Sequence, residues 1–146
     1  MARRILHPSD FSGASRPAFR KAIEMAKSGR AELLIVHVLN PIVPVAGEGY
    51  VSPKTYDELA ASTRAWAQKQ LDNLLAQAKK ARVRSKGFLL EGAPHEQIVR
   101  FAKSKRVDLV VMGTHGRSGL AKLFVGSVAA RVVAAAPCPV LTVRGK

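Results

Sequence analysis

Cysteine is nearly absent: Cys138 is the one thiol among 146 residues. A lone cysteine excludes an internal disulfide framework and the paired-cysteine zinc motifs. Aromatic residues amount to 5% and are scattered, poor material for the stacking platforms of single-strand nucleic-acid binders. No apolar run approaches the ~20 residues of a membrane-spanning helix. The opening passes from Arg3 and Arg4 into a short apolar run, without the h-region and cleavage site of a signal peptide. These absences predict a soluble, cytoplasmic protein with no membrane partner, built as a single domain over 1–146. Acidic residues are also scarce. Ten Asp and Glu stand against 24 Lys and Arg, a formal charge of +14, which favours anionic partners.

What is present is an alternation of short apolar runs and longer amphipathic stretches. Strands are expected at Arg4–His7, Leu33–Leu39, Gly87–Leu90, Leu109–Met112 and Val140–Val143. Leu33-Leu34-Ile35-Val36 and Leu109-Val110-Val111-Met112 are almost continuous, the pattern of strands buried on both faces. Between them, Ser12–Ser28 reads as a helix stopped by Gly29, a favoured cap residue. Ser52-Pro53 reads as an N-cap followed by Pro at the first helical position. The helix it opens places Leu59, Thr63, Trp66, Leu74 and Ala78 on one expected core stripe. Further helices are expected over Pro94–Ser104 and Gly126–Ala136, the last ended by Pro137-Cys138-Pro139. The order β-α-β-α-β-α-β-α-β implies an α/β fold: a parallel five-stranded sheet with right-handed crossovers and helices on both faces. Asn40–Ser52, with two prolines and two glycines, is the one long loop.

In an open sheet of this kind ligands bind beyond the strand carboxyl ends. Two loops there carry candidate chemistry. His7-Pro8-Ser9-Asp10-Phe11-Ser12 follows the first strand, and Gly113-Thr114-His115-Gly116-Arg117-Ser118-Gly119 follows the fourth. Gly126-Ser127 then opens the next helix, whose free N–H groups and dipole favour phosphate. Arg117 and Lys122 add charge nearby. The competing reading makes the glycines turn punctuation and Ser127 a simple N-cap. Familiar signatures fail by spelling: there is no G-x-x-x-x-G-K-[ST], no G-x-G-x-x-G, and Val99 breaks H-E-x-x-H. Leu120 stands where G-x-S-x-G needs its last glycine. His7 and His37 read as core or rim histidines, His95 as a solvated one, and Cys138 as a small packed residue. His115 is the one histidine at the proposed phosphates.

Gly113, Gly116, Gly126 and Ser127 satisfy G-x2-G-x9-G-[ST], the mark of nucleotide-binding universal stress proteins. The resemblance extends through Ile5-Leu6-His7-Pro8-Ser9-Asp10-Phe11-Ser12, Glu91-Gly92-Ala93-Pro94, Asp108 to Gly116, and Pro137 to Val143. It implies a Rossmann-like sheet of order 3-2-1-4-5 and ATP, with or without magnesium, in the switch-point crevice. By position, Pro8, Ser9 and Asp10 with the backbone of Val38 would hold adenine and ribose. Gly113, Thr114, His115, Gly116 and Arg117 would wrap the phosphates, with Gly126, Ser127 and Val128 closing the other side. The function implied is nucleotide-dependent regulation in a stress response. The alternatives are a slow ATP hydrolase or phosphotransfer protein using the same crevice, and a polyanion-binding module. No catalytic or metal-ligating set is assigned, because Asp10 is the one carboxylate near the glycine loops and phosphoryl transfer usually needs a metal ligand and a residue that positions the nucleophile.

Two further expectations concern surfaces. Val140–Val143 lies at a sheet edge in that order and carries no charge to discourage pairing, so a homodimer through this strand is expected. In a parallel α/β unit, helix C-termini and strand N-termini share the pole opposite the crevice. Arg3, Arg4, Lys27, Arg30, Lys79, Lys80, Arg82, Arg84, Lys86, Lys103, Lys105 and Arg106 fall there. Cations at helix ends complement the dipole, but Arg3, Arg4, Arg84 and Lys86 begin strands. A basic pole for a polyanion or an acidic protein is the expectation.

Overall fold

A computed structural model describes residues 2–40, 52–115 and 126–145. Strand β1 (Arg4–Pro8) leads through a single 3₁₀ turn at Gly13–Ser15 into α1 (Arg16–Gly29). There follow β2 (Glu32–Leu39), α2 (Pro53–Lys80), β3 (Ser85–Glu91), α3 (Pro94–Ser104), β4 (Leu109–Gly113), α4 (Ser127–Ala135) and β5 (Val140–Val143). The five strands form one sheet in the order β3-β2-β1-β4-β5, every pairing parallel. Sheet order and helix placement agree with the expectation.

Side-chain alternation along each strand divides the core in two. Ile5, Leu33, Ile35 and Val111 point to one face, against Phe19, Ala22 and Ala26 of α1 and Leu71 and Ala78 of α2. Leu6, Leu34, Val36, Val110 and Met112 point to the other, against α3 and α4. The nearly continuous apolar runs are therefore needed by both layers. On β3, Gly87 admits close packing of α2: a Cβ there would stand 2.9 Å from Leu71 Cγ and Leu75 Cδ1.

Helix α2 departs from its expected core stripe. Leu59 and Trp66 are 48% and 42% exposed, whereas Ala67, Leu71 and Ala78 are buried. Length is the reason. At 28 residues the helix is about 42 Å long, while the eight residues of β2 span only about 26 Å. The first half of α2 thus extends past the carboxyl end of the sheet, where no strand of the described residues covers it. Arg64, near the middle of the helix, meets Glu91 at the end of β3 at 2.6 Å.

The helix ends hold a second departure. Helix α1 does not stop before Gly29; Gly29 is its last residue, and Arg30 takes the left-handed position at φ 53°. The same closure recurs twice. Ala31, Val83 and Val107 donate back to the carbonyls of Ala26, Ala78 and Ala102 at 2.9, 2.9 and 3.0 Å. Arg30, Arg82 and Arg106 donate to Lys27, Lys79 and Lys103, with φ of 53°, 63° and 52°. These are Schellman closures, in which glycine is the usual left-handed residue. What decides the register is burial of the following residue: Ala31, Val83 and Val107 are 3%, 6% and 6% exposed. A non-glycine residue in this conformation costs about 1–2 kcal/mol.

Candidate functional site

All five strands point their carboxyl ends to one pole. In this order the chain reverses direction about β1 and β4, and a crevice opens between the loops that leave them. Its volume is about 440 Å³, within the range of ligand pockets. Pro8, Ser9 and Asp10 line it from β1, Val38 from β2, Gly113, Thr114 and His115 from β4, and Gly126, Ser127 and Val128 from α4. Residues 8–10, 38, 113–115 and 126–128, far apart in sequence, are thus brought to one site. Gly116, Arg117 and Lys122 lie outside the described residues, as does the loop over 41–51.

The β1 side is a compact turn. Ser9 N–H donates to Val36 O at 2.9 Å, and the Asp10 carboxylate accepts from Ser12 N–H at 2.9 Å. That is an Asx turn, which fixes the carboxylate at the crevice wall. Ser9 Oγ accepts from Phe11 N–H at 3.0 Å, holding Phe11 at φ 65°. The Phe11 ring stacks on His37 at 4.3 Å and meets the edge of Trp66 at 5.7 Å. His37 directs Nδ1 at Ser9 O, 2.7 Å away, a contact that assigns the proton to Nδ1. His37 and Trp66 both line the crevice. An aromatic wall therefore closes the β2 side.

The β4 side is built from backbone. Thr114 N–H donates to Val143 O at 3.1 Å, and Gly126 N–H to Thr114 O at 2.6 Å. The second contact clamps the start of α4 to the end of β4, and glycine eases it: a Cβ on Gly126 would lie 3.0 Å from Thr114 O, tight enough to push that carbonyl back by a few tenths of an ångström. Among the described residues no side chain caps α4. The N–H groups of Ser127, Val128 and Ala129 have no acceptor within the helix and face the same space. His115 Nδ1 lies 3.0 Å from Thr114 Oγ1, while its Nε2 is buried with no hydrogen-bond partner. Uncapped N–H groups and an orphaned imidazole nitrogen on one wall make a surface ready for an anion. Asp10 is the one carboxylate lining the crevice among the described residues.

Some lining residues escaped the sequence reading. Thr63 and Trp66 from α2 and Pro94 and Ile98 from α3 also form the walls. For Thr63 and Trp66 the signal was the helix length, which places them beyond the sheet. His7, by contrast, belongs to the core. It is fully buried, and Nδ1 faces Val111 O at 2.8 Å. Burial holds it down to about 4, against the weaker opposing pull of the Val111 hydrogen bond and the Asp10 charge. Cys138 packs against the α3–α4 side of the core, and burial raises its thiol.

The family model for the universal stress protein family matches residues 1–144. The chain belongs to that family. One relative is a universal stress protein of Methanocaldococcus jannaschii, 35% identical over 144 residues, covering 97% of this chain and 82% of the relative. Another, from Bacillus subtilis, is 34% identical over 148 residues, 99% of this chain and all of the relative. Among solved family structures, UspA of Lactobacillus plantarum superposes with a TM-score of 0.83 at 27% identity, covering 97% of both chains. Two more distant members were solved with nucleotides. One from Arabidopsis thaliana has AMP bound (TM-score 0.67, 21% identity, 98% of this chain and 92% of that one). One from Archaeoglobus fulgidus is in complex with dAMP (TM-score 0.64, 23% identity, 97% of both). At that identity what they share with this chain is the fold.

Proposed function

We propose that the crevice binds an adenine nucleotide, ATP in the first instance, and that occupancy sets the protein's output in a stress response. The observation that carries this is the uncapped start of α4, clamped beside His115 by the Gly126–Thr114 hydrogen bond. Ser127, Val128 and Ala129 would give their N–H groups to the phosphates, and Gly113 to Arg117 would wrap the other side. Pro8, Ser9 and Asp10 would take the ribose and base, with Val38 offering its backbone to the base edge. The AMP and dAMP complexes of more distant members of the fold support an adenine nucleotide as the ligand class. A magnesium ion would be held through the phosphates, since among the described residues no three His, Cys, Asp or Glu side chains converge. The active assembly we propose is a cytoplasmic homodimer joined through β5.

Substitution of Ser127 by proline tests the placement. Proline suits the first position of a helix, and Gly126 already has the extended backbone (φ −60°, ψ 157°) that a following proline requires. The change deletes one N–H and leaves the helix intact. Calorimetry should show ATP affinity at least tenfold weaker than in Ser127→Ala, about 1.4 kcal/mol, with adenosine affinity the same in both. Trp66, the one tryptophan of the chain, reports independently through its emission. Absence of both binding heat and an emission change on adding ATP, AMP or adenosine would remove the nucleotide reading.

A further inference from the structure

Opposite the crevice, the sheet presents the amino ends of its strands together with the closures of α1, α2 and α3. Each closure repeats one sequence pattern. Ala26-Lys27-Ser28-Gly29-Arg30-Ala31, Ala78-Lys79-Lys80-Ala81-Arg82-Val83 and Ala102-Lys103-Ser104-Lys105-Arg106-Val107 all read A-K-x-x-R-[AV]. The alanine and the final apolar residue are buried, while the lysine and arginine are exposed. These turns feed β2, β3 and β4, and β1, lying between β2 and β4, contributes Arg3 and Arg4. Arg82, Arg30, Arg4 and Arg106 therefore follow one another along the sheet edge, across four strands that span about 14 Å.

Little offsets this row. Asp108 is committed to the backbone, accepting from Arg3 N–H at 2.7 Å and Arg4 N–H at 2.9 Å. Glu32 is shared between Arg4 and Lys86, each 3.9 Å away. Helix-end electrostatics does not account for the arginines, because Lys27, Lys79 and Lys103 already stand in the last turns. Glycine would fit all three left-handed positions better. An arginine there, three times, keeps a guanidinium where the backbone prefers none.

We propose that this pole is a second binding surface, for the phosphodiester backbone of nucleic acid, read without regard to sequence. Arginines carried at the amino ends of four neighbouring strands make a basic surface suited to an array of phosphates, which arginine engages in bidentate fashion. An acidic protein fits less well. Protein interfaces centre on buried apolar or aromatic anchors, and the exposed large apolar side chains Leu59, Trp66 and Val133 all lie outside these three closures. Base readout is not offered, since helix ends rather than a helix face meet the ligand and the three closures contain no aromatic residue to stack. The row stops at β5, whose preceding turn, Ala136-Pro137-Cys138-Pro139, is uncharged. This surface is independent of the nucleotide crevice at the other pole.

The test replaces Arg30, Arg82 and Arg106 together by glycine. Because glycine suits the left-handed positions, the triple variant should unfold at the same temperature as the parent or higher. Anisotropy of a fluorescent DNA duplex of arbitrary sequence, titrated over a range of sodium chloride, reads the binding. Parent protein should bind, with the same affinity for a second, unrelated sequence. The variant should bind at least tenfold more weakly, its log–log salt slope shallower by about 3. Three results overturn the proposal: no duplex binding by the parent at low salt, unchanged affinity and slope in the stable variant, or tighter binding to poly-glutamate than to the duplex at equal salt. The third would assign the pole to an acidic protein. ATP binding measured on the triple variant keeps the two sites apart, and should be unchanged.

Discussion

His7 is buried in the middle of the sheet as a neutral imidazole, one nitrogen on Val111 O and Nε2 without a partner. Its ring also lies 5.5 Å from that of Phe19, so a charge there would face apolar carbon. In the unfolded chain it titrates at 6.5, in the fold at about 4. Between those values the unfolded state binds the extra proton, so stability rises with pH through that window. The contribution is complete above pH 6.5 and lost by about pH 4, on the order of 3 kcal/mol in all. Urea melts at pH 7.5 and 4.5 should show that loss, and His7→Asn, which keeps a donor for Val111 O, should abolish most of it. Equal pH dependence in the two proteins would mean that His7 is not the group responsible. The residue's role as a core histidine was legible from its place in an apolar run. Its unpartnered nitrogen was not, because that depends on which atoms of β4 and α1 arrive beside it.

Among the elements, α2 shows where sequence pattern carries furthest and where it fails. Strands β1, β2 and β4 were legible because burial on two faces leaves their composition no freedom. The second half of α2 was legible for a related reason, its Leu74 and Ala78 lying on the packed side. Spacing alone could not show that the first half extends past the buried core of the sheet, so Leu59 and Trp66, 48% and 42% exposed, looked like core. The site was readable where it consists of backbone and glycine, at Gly113, Gly126 and Ser127. Its wall of Thr63 and Trp66 required the helix to be placed in space. The two halves should differ sharply on truncation. Leu71→Ala, at a residue 1% exposed, should cost about 2–5 kcal/mol, whereas Leu59→Ala should stay within about 0.5 kcal/mol. Chemical denaturation of both variants decides it, and similar losses would show that the overhanging half is packed. Gly87→Ala should also destabilise, by about 1–3 kcal/mol, through its contacts with Leu71 and Leu75.

At the scale of the molecule, the uncharged edge and the two poles divide the surface. Among the described residues strand β5 pairs only with β4. Pro139 and Val143 turn their carbonyls to Val110 N–H (3.0 Å) and Thr114 N–H (3.1 Å), so by alternation Thr142 directs its N–H away from the sheet. Thr142→Pro should therefore leave β4–β5 pairing whole and prevent a second chain from adding there. Light scattering should give a dimer for the parent at micromolar concentration and a monomer for the variant; a monomeric parent ends the proposal of a β5 dimer. The overhang of α2 has a consequence in time as well. Opening free energies differ from one part of a fold to another, and segments with few buried contacts open first. Hydrogen exchange should find the amides of 56–65 exchanging quickly and those of 67–80 nearly as slowly as β2. Helix α2, continuous in space, would then melt as two units, the first opening and reclosing over the crevice many times before the second moves at all.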